Sequence, residues 1–275
     1  MATGAIAFDR LVARDPAAVT AIDTLMAAHP DRARFDVALA GSDGVVRQRL
    51  LFERMARWPD DIRGTRYNHT HWHHELRVIT GWKAFGAIRL GEADHAFAHA
   101  LAIVRDADAD PGERAIALCW LFHIVGDMHQ PLHAGHRMDG RFPLTDRAGT
   151  QGWVRRAPDA PPETLHHFWD TAADRPGSEA AGADAIAREA EADLPMGPWI
   201  RGDAIGRYRG WVRESEQLAA TVAYRDAALA ESHRARDAPI LSPDYVATAR
   251  TVAEQRLGQA GARLAMLLAE SFPGS

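Results

Sequence analysis

Apolar residues along this chain recur at helical spacing, and the alternation expected of strands is scarce. Asp15-Pro16 opens a helix through Ala28, with proline at the first position, where its missing N–H is no loss. Val46, Leu50, Leu51 and Met55 share one helical face, and Ser42 ahead of them predicts a capped helix through Trp58. Another helix spans Glu92 to Arg105. Asp110-Pro111 starts one that carries Ile116, Trp120, Ile124 and Asp127 until Pro131 stops it. Pro161-Pro162-Glu163 launches a helix through Asp170, and residues 203–230 and Ser242 to about Leu268 complete the series. Residues 134–161 hold Gly, Pro, Arg and Asp without periodicity and read as a long irregular loop. The pattern predicts an all-α fold, one mainly helical domain over residues 1–275. The linker-like stretch 174–180 is too short to mark a boundary.

Composition narrows the function. No run of about 18 apolar residues exists, so no membrane insertion is expected. The single cysteine, Cys119, excludes an intrachain disulfide and a thiolate-rich metal site, and reads as a small core residue. A net charge of −5 argues against a protein that coats duplex nucleic acid, though a phosphate-sized basic pocket is compatible with it. The first ten residues hold too short an apolar run for an export signal, so the chain as written is expected in the cytoplasm if Met1 is the true start. Histidine is the anomaly: of 14, ten fall in three clusters, at 69–74, 123–136 and 166–167. Imidazole is the commonest metal-binding side chain.

His123 and Asp127 are four residues apart, so on a helix they leave one face and can grip one cation. Once Pro131 breaks that helix, His133 can swing back towards Asp127, and a carboxylate between two imidazoles can bridge two metals. His166 and Asp170 repeat the spacing, with Phe168 and Trp169 turned to the core. His167 cannot pair with Asp170 at this spacing. One H-x-x-x-D is more often an exposed polar helix end, but two in a chain with a third histidine cluster favour metal binding. In Trp58-Pro59-Asp60-Asp61-Ile62-Arg63 an aspartate can supply an oxygen ligand, and Arg63 either binds phosphate through its planar fork or forms a surface ion pair with Asp60 or Asp61. His69, His71, His129 and His136 read as supporting or surface groups.

In order, W-x-D-x-I-R, W-H, H-x-x-x-D-x-H-Q-P-L-H and L-H-x-x-W-D resemble the zinc-dependent single-strand nucleases of the nuclease S-one and P-one family, fold relatives of the bacterial zinc-dependent phospholipases C. Weaker similarity continues in Trp211–Ser215 and Gly261–Ala265. The resemblance implies a helical fold and three zinc ions. Asp60, His73, His123 and Asp127 would hold one, and His133, His166 and Asp170 a second. Asp127 would also bridge to a third, and Arg63 would bind the substrate phosphate. It further implies a single-stranded nucleic acid or nucleotide substrate, hydrolysed by zinc-activated hydroxide with Asp60, Arg63 and Asp127 as the catalytic group, and a secreted or periplasmic location.

The chain departs from the family in three places. Asp146-Arg147-Ala148-Gly149-Thr150 replaces a D-x-G-G-N loop, His74 through Leu76 do not match the residues that hold a base in some members, and the N-terminal tryptophan and histidine ligands are missing. We therefore expect two zincs here, with Met1 falling just after the family's N-terminal histidine. Two other readings compete with the nuclease: a phospholipase or small phosphodiesterase on the same scaffold, and a non-catalytic zinc-binding protein. Five arginines in the 134–161 loop, Arg137, Arg141, Arg147, Arg155 and Arg156, favour a polyanion over a lipid.

Overall fold

The computed structural model describes residues 1–80, 89–174, 179–192 and 202–273, and residues 175–178 of the linker-like stretch lie outside them. The fold is mainly helical, as the periodicity predicts. Its axis is α6 (Pro111–Asp127), whose first turn is closed by the Asp110 carboxylate accepting from Glu113 N–H. From Leu118 to Val125 every residue of α6 is buried, so this helix is apolar all round and is packed on all sides. Each large side chain buried there contributes about 1.5–3 kcal/mol. Around it lie α1 (Ala2–Arg14), α2 (Pro16–Met26), α4 (Gly44–Asp61), α5 (Ala93–Arg105) and the long α11 (Pro243–Ser271), with the short α3 (Arg32–Ala38) against α4.

Helix α1 is built from small residues because two neighbours press on it. A Cβ at Gly4 would stand 2.3 Å from the Phe52 carbonyl oxygen of α4, and one at Gly261 of α11 would stand 2.4 Å from Ile6 Cβ. The Gly261–Ala265 similarity is therefore a packing feature at its glycine. At Arg263 it is an electrostatic one: Arg263 and Arg256 converge on Glu214 of α10 (Ala204–Leu218), and Arg263 also donates to His129 Nε2 at 2.8 Å. Burial pushes the Glu214 carboxyl upward, but these two guanidinium groups hold it below its usual range.

Several elements differ from expectation. Asp43, not Ser42, stands at the N-cap of α4, its carbonyl accepting the first helical bond from Arg47 N–H. Pro59 does not end α4, because Trp58 and Ile62 on either side are buried and tie the last turn to the core. The Trp58 indole donates to Asp31 at 2.9 Å. Residues 134–161 are not wholly irregular, since β3 (Gly135–Arg137) and β4 (Trp153–Val154) lie within them. Glu163 and Thr164 form β5, antiparallel to β4, rather than the start of a helix. Thr164 then caps α8 (Leu165–Asp170) by accepting from His167 N–H. The helix after Asp203 ends at Leu218 and passes into a π turn, Ala219–Ala223; Arg225, Asp226 and Ala227 beyond it are all left-handed.

The strands β1 (Glu75–Thr80) and β2 (Arg89–Gly91) were not foreseen. β1 pairs antiparallel with β2 and parallel with β3, in the order β2-β1-β3. This small sheet seats the 3-10 turn Thr70–His73 beside α6 and the one-turn helix α7 (Pro131–Ala134) against β1. A second apolar cluster, including Leu132, Val154, Leu165, Phe168, Trp169 and Tyr245, backs α7 and α8. Helix α9 (Glu179–Ala192) lies along α1 and α11. Among the described residues no helix is long and apolar enough to cross a membrane.

Candidate metal centre

The ends of α4, α6 and α8, the 3-10 turn and α7 meet at one cavity of about 1420 Å³. Six of the seven sequence-predicted ligands line it, and the seventh, His123, is buried directly against His73 and Asp127. Trp58 and Ile62, four apart on α4, are driven into the core, and Asp60 between them lines the cavity together with Arg63 just past the helix end. His123 and Asp127 leave one face of α6 at its C-terminus, with Asp127 Oδ2 3.0 Å from His123 Nε2. His73, 50 residues earlier, presents Nδ1 at 2.8 Å from the same His123 nitrogen and 3.2 Å from Asp127 Oδ2. Asp60 Oδ1 lies 4.0 Å from both imidazole nitrogens. Two donors on one tetrahedral zinc are about 3.3 Å apart, so these separations suit a single cation.

The second group faces the first across Asp127. His133 Nδ1 is 3.6 Å from Asp127 Oδ2, while its Nε2 is 3.5 Å from Asp170 Oδ1. His166 Nε2 is 3.5 Å from Asp170 Oδ2, and the two imidazoles stack at 5.0 Å. Asp60, His73 and His123 form one set, and His133, His166 and Asp170 another; within each set the donor atoms lie within 4.8 Å of one another. Mixed nitrogen and oxygen donors without thiolate suit zinc.

Three ligand rings are aimed by backbone. His123 Nδ1–H donates to Ala56 C=O at 2.8 Å, His133 Nδ1–H to His73 C=O at 2.6 Å and His166 Nδ1–H to Ala148 C=O at 2.9 Å. Each bond fixes the tautomer that leaves the Nε2 lone pair for a metal. Gln130 Nε2 donates to Asp170 Oδ1 at 2.8 Å and aims the carboxylate. Sequence reasoning missed Gln130, although it sits inside the H-Q-P-L-H run.

The field at the centre favours positive charge. Burial alone would push the Asp127 carboxyl up, but His123 and His133 outweigh it and hold that group well below its usual value. Burial also opposes charge on His133, yet Asp127 and Asp170 raise it to about 9. A divalent cation answers the same field. His166 moves the other way, lowered first by burial and then by His133.

Arg63 is 70% exposed and donates to Asp60 Oδ1 at 2.7 Å, which is the ion-pair alternative. His167 is exposed and outside both ligand sets. His129 and His136 are buried, so neither is a surface group. Cys119 is a core residue, its thiol pushed well up by burial. Four of the five loop arginines are spent on partners within the protein. Arg137 is buried against Glu231 and Asp139, Arg141 donates to Ala227 C=O, Arg155 to Ala160 C=O, and Arg156 pairs with Glu163. Arg147 alone of the five lines the cavity.

A helical fold that gathers two nitrogen and oxygen donor sets at one cavity, with Asp127 between His123 and His133, defines a candidate metal-binding protein. The S1/P1 Nuclease family matches residues 1–273, and the chain belongs to that family. Endonuclease 4 of Arabidopsis thaliana is 29% identical over 170 residues, covering 57% of this chain and 50% of the relative. Endonuclease 1 of the same plant is 27% identical over 169 residues, covering 57% and 49%. The chain thus matches about half the length of these relatives.

Proposed function

We propose that this chain is a zinc-dependent nuclease that hydrolyses phosphodiester bonds in single-stranded DNA or RNA, working as a single domain over residues 1–275. Asp60, His73, His123 and Asp127 would hold one zinc, and His133, His166 and Asp170 a second. The observation that carries this reading is the meeting of two donor sets at one cavity, with Asp127 lying between His123 of one and His133 of the other, in a member of the S1/P1 nuclease family. The names of the plant relatives point to the same chemistry. The family's character also suggests that the protein acts outside the cytoplasm.

Zinc, when bound, supplies an acidified water and a Lewis acid for phosphoryl oxygen. The chain's own residues do the positioning. Ala56, His73 and Ala148 carbonyls keep the imidazoles in register, and Gln130 keeps Asp170 turned inward. Arg63 would transfer its fork from Asp60 to two phosphate oxygens, stabilising charge that grows as the bond breaks. Imidazole faces at His71 and His74 line the same cavity and offer a surface for an unstacked base, which a duplex cannot present.

Zinc content and hydrolysis measured on one preparation test the reading. Two bound zincs, with single strands cut faster than duplex, support it. Zinc without hydrolysis of any phosphodiester supports the non-catalytic reading, and preference for phosphatidylcholine vesicles supports the phospholipase reading.

A further inference from the structure

The nuclease reading leaves one cavity residue unused. Three arginines line the cavity, and two are matched with carboxylates: Arg57 with Asp61 at 3.1 Å and Arg63 with Asp60 at 2.7 Å. The Arg147 guanidinium has no carboxylate, carbonyl or ring partner among the described residues. The four other arginines of its loop all spend their guanidinium groups on partners in the protein.

The backbone that presents Arg147 is held against its own preference. Arg147, Ala148 and Gly149 are consecutive left-handed residues at φ 51, 58 and 80°. For a side-chain-bearing residue that conformation costs about 1 kcal/mol or more, and it persists only where the surroundings dictate it. Here they do. Asp146, fully buried, accepts from Arg137 N–H at 2.9 Å and from the Tyr224 hydroxyl at 2.5 Å. Arg147 N–H donates to Thr145 Oγ1, and Arg147 C=O accepts from both the N–H and the hydroxyl of Thr150. The next carbonyl, Ala148, is the one that orients His166, and Gly149 C=O accepts from His166 N–H. Arg147 is thus fixed one residue away from the support of a proposed metal ligand, with its charge uncompensated.

We propose that Arg147 is a substrate-binding residue that takes a backbone phosphate adjacent to the scissile one. The proposal rests on the nuclease reading and deepens it: Arg63 serves the phosphate under attack, and Arg147 serves its neighbour on the strand. The chain therefore favours oligonucleotides over substrates with a single phosphodiester. Among the described residues the Arg147 side chain makes no hydrogen bond or ion pair with a proposed ligand, so its loss should leave the zinc centre intact.

The test compares zinc-loaded wild type and Arg147→Ala on two substrates, a dinucleoside monophosphate, which has no neighbouring phosphate, and a ten-residue oligothymidylate. Binding of a labelled phosphorothioate oligothymidylate across a salt series is measured alongside. Arg147→Ala should lower kcat/KM on the oligonucleotide roughly tenfold, as expected for a charge-assisted contact at an exposed site, chiefly through KM. It should leave the dinucleoside monophosphate within twofold. In the binding series the slope of log affinity against log salt should fall by about 0.7, one phosphate contact on a single strand. Arg147→Lys should recover most of the binding slope. Equal losses on the two substrates, or no loss on either, would overturn the proposal, as would an unchanged salt slope. A wild type that holds zinc yet cleaves neither substrate would instead remove the nuclease reading on which it rests.

Discussion

Replacing His166 by alanine should cost the protein one zinc, and replacing its neighbour His167 should not. The pair is a sharp comparison because both side chains line the cavity and only one converges on Asp170. His166 is one of three donors in its set, and its Nδ1–H is committed to Ala148 C=O at 2.9 Å. Changing a residue that merely supports a ligand costs 10–100-fold in metal affinity, so deleting the donor itself should reach at least the upper end, about 100-fold or 2.7 kcal/mol. Metal-free stability should hardly move. The side chain is 23% exposed, and water can replace the proton that Ala148 C=O loses, so about 1 kcal/mol bounds the change. The assay is zinc content after dialysis against a zinc buffer set near the weaker wild-type site, with the thermal midpoint measured in chelator as the fold control. His166→Ala should retain one zinc fewer than wild type and lose most hydrolysis, while His167→Ala should match wild type. Equal zinc loss in both variants, or full zinc content in His166→Ala, would refute the assignment.

Arg63→Lys should lower turnover with zinc content unchanged, because lysine lacks the planar fork; an unaltered kcat would return Arg63 to its ion pair with Asp60. Gly261→Ala should destabilise by about 1–3 kcal/mol or more in urea unfolding, since its Cβ would stand 2.4 Å from Ile6, whereas Gly210→Ala, with open space around it on α10, should be neutral or slightly stabilising. His29 is buried and its pKa is lowered, first by burial, from 6.5 to about 4. The unfolded chain takes up a proton below 6.5 that the folded chain refuses, so His29 withdraws up to about 3 kcal/mol of stability as pH falls from 6.5 to 4. His29→Asn should flatten that part of the wild-type pH–stability curve, and parallel curves would count against it.

What could be read in the chain was what repeats within one helix. Trp58 and Ile62 go inward while Asp60 turns to the cavity, and His123 and Asp127 leave one face of α6, because i, i+3 and i+4 relations are fixed by the helix itself. The meeting of His73 with His123 across 50 residues has no such local cause, and only the resemblance supplied it. The strand β2 escaped notice because it is three residues long, and β1 because half of its pairing is with β3, which lies far along the chain. Counting arginines in the loop misled for the same reason: Glu231, which neutralises Arg137, is 94 residues away. His136 and His129 read as polar, yet each is buried beside a partner, Thr145 for one and the Val125 carbonyl with Arg263 for the other.

The two donor sets are not equivalent, and the fold explains the difference. His123 on the buried half of α6 and His73 on the 3-10 turn beside it have side chains only 6% and 11% exposed. His166 and Asp170 sit on a six-residue helix that backs onto the smaller apolar cluster, with side chains 23% and 40% exposed. On the proposed assignment the enclosed set cannot trade its cation for water without exposing buried nitrogens, so it anchors the centre. The open set can admit a substrate oxygen beside its three protein donors, as a zinc that keeps a free position requires. Asp127 belongs to both environments: one oxygen lies within 3.6 Å of His73, His123 and His133. A shift of the carboxylate towards either side therefore changes the charge felt by the other. On the proposed assignment, that coupling would make Asp127, the last residue of α6, the point through which the two halves of the site act on one phosphate.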